Sequence, residues 1–229
     1  MRRITAAMFA VAALGLWGCQ SHVSSSVDDP QANAQRIAEQ KEDMKLGKTP
    51  VTANTRFAAG QLAESEGNYE AAVEQYQAAL KINPKHTLSL YRLGVIYTQF
   101  KQFDQAIDSW QKYVSATGQS ATAYGNLGFC YELAAKPSLA EATYQKGIQR
   151  EYLNVLCRTN YGLMLARQGR TQEAMNIWHP VLSDAQEHYN LASVYQLEGR
   201  KTQAKAEYQR ALELDPNLTD AQQRLAALD

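Results

Sequence analysis

The chain carries no excess charge of either sign: 23 basic side chains balance 23 acidic ones over 229 residues. No basic patch is required by that balance, which argues against a nucleic-acid partner. Cysteine is scarce, with three in all, too few to staple a disulfide-built scaffold. No apolar run approaches the roughly 20 residues of a membrane span; the longest covers residues 4–17. Catalytic signatures are missing as well. HExxH, GxSxG, a Walker loop and GxGxxG do not occur, so neither an enzyme nor a cofactor is expected. Histidine is rare, four in all. His179 and His188 flank Glu187 in one short stretch, but their spacing matches no ligand set, and no metal site is expected there.

Tyrosine and small residues, by contrast, are plentiful and regularly placed. In residues 67–84, GNYEAAVEQYQAALKINP, the positions Tyr69, Ala72, Val73, Tyr76, Ala79 and Leu80 recur at helical spacing and form one apolar stripe. Small Ala72 and Ala79 alternate with large Tyr69 and Tyr76, so a second helix can approach between the rings. Asn83-Pro84 stops the helix, because proline lacks the amide hydrogen and biases its predecessor away from helical geometry. A single such helix cannot bury its own stripe, so the pattern should recur.

It recurs at Ala106, Ala140, Ala174 and Ala204, at spacings of 34, 34, 34 and 30 counted from Ala72. Four residues after each stands an aromatic: Tyr76, Trp110, Tyr144, Trp178 and Tyr208. Twelve residues before each stands a small residue: Gly60, Gly94, Gly128, Gly162 and Ala192. The period and the segments LYRLGVIY, AYGNLGFCY and HYNLASVY resemble the tetratricopeptide repeat (TPR). The resemblance implies an all-α fold, a right-handed solenoid of five helix-turn-helix repeats at 53–86, 87–120, 121–154, 155–184 and 185–218, with a capping helix at 219–229 that covers the last repeat.

Local signals refine this frame. Pro137 suits the first turn of a helix. The fourth repeat is four residues short, and Pro180 should end its second helix near Trp178. Asp184 with Glu187 reads as a capping box for the next helix, and Asp220 as the cap of a final helix over 221–228. Cys130 and Cys157 sit about 10 Å out of register on neighbouring helices, beyond the reach of a disulfide, so buried thiols are expected.

The N-terminus reads as a targeting segment: Arg2 and Arg3, then the apolar run, then Leu16-Trp17-Gly18-Cys19. That ending resembles the lipobox of bacterial lipoproteins, with Trp17 where a small residue is usual. The resemblance implies a signal peptide at 1–18 and a lipidated Cys19. Gln20, in place of the inner-membrane aspartate, implies a lipid anchor in the outer membrane, facing the periplasm. Residues 19–52 read as a polar tether, in which Asp29-Pro30 could open a short helix over 30–46.

In the TPR family the first helices line a concave groove. Carried over, that groove comprises Phe57, Tyr91, Arg92, Asn126, Phe129, Asn160, Leu163, Tyr189 and Asn190. Asn126, Asn160 and Asn190 share one register and resemble an asparagine ladder, whose amides both donate to and accept from peptide backbone. Their joint replacement by alanine is expected to weaken capture of a partner and leave thermal unfolding nearly unchanged. Phe57, Tyr91 and Tyr189 stand where the carboxylate clamp of chaperone-binding TPRs needs lysine, so the expected ligand is an apolar segment. Lipobox, tether and repeats together are similar to pilotin-type TPR lipoproteins of tight-adherence (Tad) and type IV pilus systems. That implies an envelope adaptor whose partner is a secretin or another pilus-assembly component. An adaptor that recruits peptidoglycan hydrolases or synthases is the alternative, and self-association through terminal helices stays open.

Overall fold

The computed structural model describes residues 51–228, so the signal peptide, Cys19 and nearly all of the tether, including the helix expected at 30–46, lie outside the described residues. Among the described residues every regular element is a helix. The chain divides into two compact units, the first ending at Ala116 and the second beginning at Thr117.

The first unit holds two helical hairpins: α1 (Ala53–Ser65) with α2 (Tyr69–Ile82), and α3 (Thr87–Gln99) with α4 (Phe103–Ala116). The second holds three more, α5 (Ala121–Leu133) with α6 (Pro137–Arg150), α7 (Val155–Arg167) with α8 (Thr171–Trp178), and α9 (Asp184–Leu197) with α10 (Lys201–Leu214), followed by α11 (Thr219–Ala226). No described helix is long and apolar enough to cross a membrane.

The repeating residues explain the hairpins. Ala72, Ala106, Ala140, Ala174 and Ala204 are wholly buried, and the aromatics four residues on are at most 4% exposed. Each ring of the first four repeats lies directly on the glycine sixteen residues earlier. A Cβ added at Gly60 or Gly128 would fall within 2.7 Å of Tyr76 or Tyr144, and one at Gly94 within 2.5 Å of Trp110. The glycine is therefore a requirement of close approach, not of a special backbone angle. In three of the repeats the polar tip of the ring is satisfied by a residue twelve positions back, whereas the Trp178 indole donates to the Thr159 carbonyl at 3.1 Å. The Tyr76 hydroxyl donates to Glu64 at 2.7 Å, the Trp110 indole to the Thr98 hydroxyl at 3.1 Å, and the Tyr208 hydroxyl to Gln196 at 2.7 Å.

One register is not uniform. Seven residues after the buried alanine stand Ala79, Gly147 and Ala211 in the first, third and fifth repeats and Val181 in the fourth, whereas the second repeat has Tyr113. Its ring packs back within its own unit, 5.7 Å from both Tyr91 and Trp110.

Helix ends follow the sequence with two corrections. Pro137 opens α6 and α8 stops at Trp178, as the prolines require. The capping box, however, is Ser183 with Gln186 rather than Asp184 with Glu187. The Ser183 hydroxyl accepts from the Gln186 amide, whose own side chain accepts from the Ser183 amide. Asp184 and Glu187 thereby move into the first turn, where their charge favours the helix N-terminus. Asp220 likewise lies inside α11, which begins at Thr219 without a side-chain cap. Cys130 and Cys157 are buried thiols, and burial pushes the Cys157 thiol up to about 12.

Candidate functional site

In the first unit, the groove register falls on α1 and α3. Phe57 is half-buried, its ring 5.5 Å from Tyr76 and 5.4 Å from His86. Tyr91 meets Trp110 edge-on at 5.4 Å. Arg92 is committed to its own unit: its guanidinium forms a two-pronged ion pair with Glu64, one arm at 3.0 Å through Nε. Glu64 also receives the Tyr76 hydroxyl. Burial and this carboxylate hold the Tyr76 phenol well above its ordinary value, so it stays a donor. Arg92 is then a tie between α1 and α3 before it is a ligand contact.

His86 was not legible as a structural residue, yet it is buried and caps α3. Its Nδ1 accepts from the Ser89 amide at 3.3 Å, and its Nε2 lies 3.0 Å from the Asn54 side-chain oxygen on α1. Nδ1 must be unprotonated to accept, so Nε2–H donates to Asn54. The only hint in the sequence is its place just before a helix start, where Ser120 and Asn154 cap α5 and α7.

In the second unit the register falls on α5, α7 and α9, which neighbour one another in that order. Phe129, Leu163, Tyr189 and Asn190 are half-buried and present part of their surface. Asn126 and Asn160 are only 7% and 8% exposed. The cause is close helix approach: a Cβ at Gly125 would already touch Leu156 at 3.4 Å and the Cys157 backbone at 3.6 Å. The three asparagines share a register, but two of them are packing residues as much as surface ones.

A buried arginine escaped the sequence reading altogether. Arg158, 3% exposed, lies over the Tyr152 ring at 4.2 Å and donates to the Ile177 carbonyl at 2.9 Å. Ile177 is in the last turn of α8, whose final carbonyls lack helical partners. Arg158 satisfies one of them and opposes the helix dipole where the short repeat has lost a turn.

Comparison with known proteins agrees with this architecture. Two family models, both described as tetratricopeptide repeat, match residues 57–124 and 185–218. BBSome complex member BBS4 of Bos taurus is 32% identical over 108 residues, which is 47% of this chain and 21% of that protein. The chain thus spans about a fifth of that relative's length. Among solved structures, YrrB, described as a TPR protein with an unusual peptide-binding site, aligns with a TM-score of 0.52. It is 22% identical, over 83% of this chain and 96% of its own. MamA aligns with a TM-score of 0.57 at 21% identity, over 73% and 94%. Residues 57–124 and 185–218 are tetratricopeptide repeats, and the fold that carries them is a tetratricopeptide-repeat solenoid.

Proposed function

We propose that this protein is a non-enzymatic adaptor, held on the periplasmic face of the outer membrane by acyl chains on Cys19. It captures an extended or helical segment of an envelope protein on its first-helix faces. The bound protein is a secretin or another component of a pilus assembly, which the adaptor keeps close to the membrane.

The observation that carries the capture step is the uncharged, half-exposed register of the second unit: Phe129, Leu163, Tyr189 and Asn190 on successive first helices. Apolar surface supplies affinity without demanding charge on the ligand, and an amide can bond main chain of any sequence. Arg92, the one cation in the expected groove, is neutralised by Glu64, which leaves nothing there to select an acidic tail. The anchor and the pilus partner rest on the sequence around Cys19 and on the resemblance to pilotin-type lipoproteins.

In-cell crosslinking from a photoreactive residue in place of Tyr189 tests the reading. Adducts with a secretin or pilus component support it. Adducts with a cell-wall hydrolase or synthase would replace the partner and keep the capture face. No adduct at Tyr189, with capture from a position on α10 instead, would overturn the capture face itself.

A further inference from the structure

The short fourth repeat assembles side chains that its sequence spacing does not advertise. Because α8 stops at Trp178, the chain turns back at once: the amides of Val181 and Leu182 both bond the Trp178 carbonyl. This lays His179, at the C-cap of α8, against the first turn of α9. Its Nδ1 lies 3.2 Å from Glu187 Oε1 and 3.9 Å from Asp184 Oδ1. One donor atom from each of the three residues falls within 4.8 Å of the others.

We propose that His179, Asp184 and Glu187 bind a divalent transition-metal ion, with zinc the ion their donors suit. One imidazole nitrogen and two carboxylate oxygens are a zinc-type set, and ligands at about 2.0–2.2 Å from one ion lie about 3 to 4 Å from each other. The two separations from His179 already fall in that range, and a small rotation of Asp184 completes the set. Remaining coordination positions go to water.

Glu187 supplies the independent reason. Its residue is only 4% exposed, and among the described residues no hydrogen bond from outside the trio reaches its carboxylate. A buried carboxylate beside a second carboxylate needs a counter-charge. Among the described residues only the His179 imidazole contacts this carboxylate, and that side chain is 74% exposed. His188 does not join the set, because its Nδ1 is turned to Glu207 at 2.6 Å. The bound ion would tie the end of α8 to the start of α9, where a turn of helix is missing.

The test uses the full chain without an affinity tag, stripped with chelator and titrated with zinc chloride in a calorimeter. Cobalt(II) absorption serves as a second readout of ligand geometry. One equivalent should bind and raise the thermal midpoint. His179→Ala also takes the hydrogen bond from the buried Glu187, so its metal-free midpoint should fall and serves as its own baseline; zinc affinity should weaken at least tenfold, as loss of a ligand must exceed the loss of an outer-shell partner. Glu187→Gln should do the same to affinity. No uptake by the wild-type chain, or uptake unchanged in His179→Ala, would overturn the site.

Discussion

Gly94→Ala should destabilise the first unit even though alanine is the better helix former. The added Cβ would lie 2.5 Å from Trp110 Cε2 and 2.7 Å from Cδ2. The indole is only 4% exposed and has nowhere to move. Tyr91 and Tyr113 pack on it at 5.4 and 5.7 Å, and its N–H is fixed on Thr98, whose hydroxyl in turn bonds the Gly94 carbonyl at 2.6 Å. Overpacking of this kind costs about 1–3 kcal/mol, and loss of the indole hydrogen bond adds about 1 kcal/mol. Against that, alanine regains about 1 kcal/mol of helix propensity. The expected net loss is about 2 kcal/mol, seen as amide exchange in α3 and α4 accelerated on the order of 30-fold. Ala192→Gly, at the same register of the fifth repeat, is the control and should lose about 1 kcal/mol from propensity alone. A neutral or stabilising Gly94→Ala would refute the idea that the ring sits on the α3 backbone.

Three other outcomes are expected. Burial lowers the basicity of His86, so below its ordinary value near 6.5 the unfolded chain binds more protons than the folded one. Stability is then present above that value and is lost as pH falls through it toward the lowered one. His86→Asn keeps a capping oxygen and should flatten the change in urea midpoint between pH 7 and pH 5; an equally steep loss in the variant would show that the imidazole is not responsible. The asparagines should separate: Asn190→Ala weakens partner capture at little cost to folding, whereas Asn126→Ala and Asn160→Ala also lower the thermal midpoint because their amides are packed. Equal midpoints for all three would contradict the burial. Cys19→Ala should move the protein from outer-membrane to soluble envelope fractions, and a variant that stays with washed membranes would sink the anchor.

The burial of the asparagines also shows where reading the chain falls short. The Asn126, Asn160 and Asn190 register is visible in the sequence, but exposure is set by how closely α5 and α7 approach, and that depends on Gly125 meeting residues some thirty positions away. The burial of Asn126 and Asn160 argues that replacing all three costs stability at two of them. Arg92 is a similar case: by register it falls in the expected groove, yet its charge is consumed by Glu64, 28 residues earlier. The misplaced capping box differs, since Ser183 and Gln186 were there to be read, and the acidic pair one residue on imitated the same spacing.

Hairpin pairing and the buried stripe follow from the chain alone, because they arise from local periodicity and from a repeat of about 34 residues. The rings at 76, 110, 144, 178 and 208 could be assigned to the core from spacing alone. Tertiary structure decided which polar atoms those rings bond, that His86 is a buried cap, that Arg158 closes α8, and that His179 meets Asp184 and Glu187. Each of these depends on distance and burial between residues on different helices. Such contacts carry no periodicity of their own, so only the packed helices reveal them.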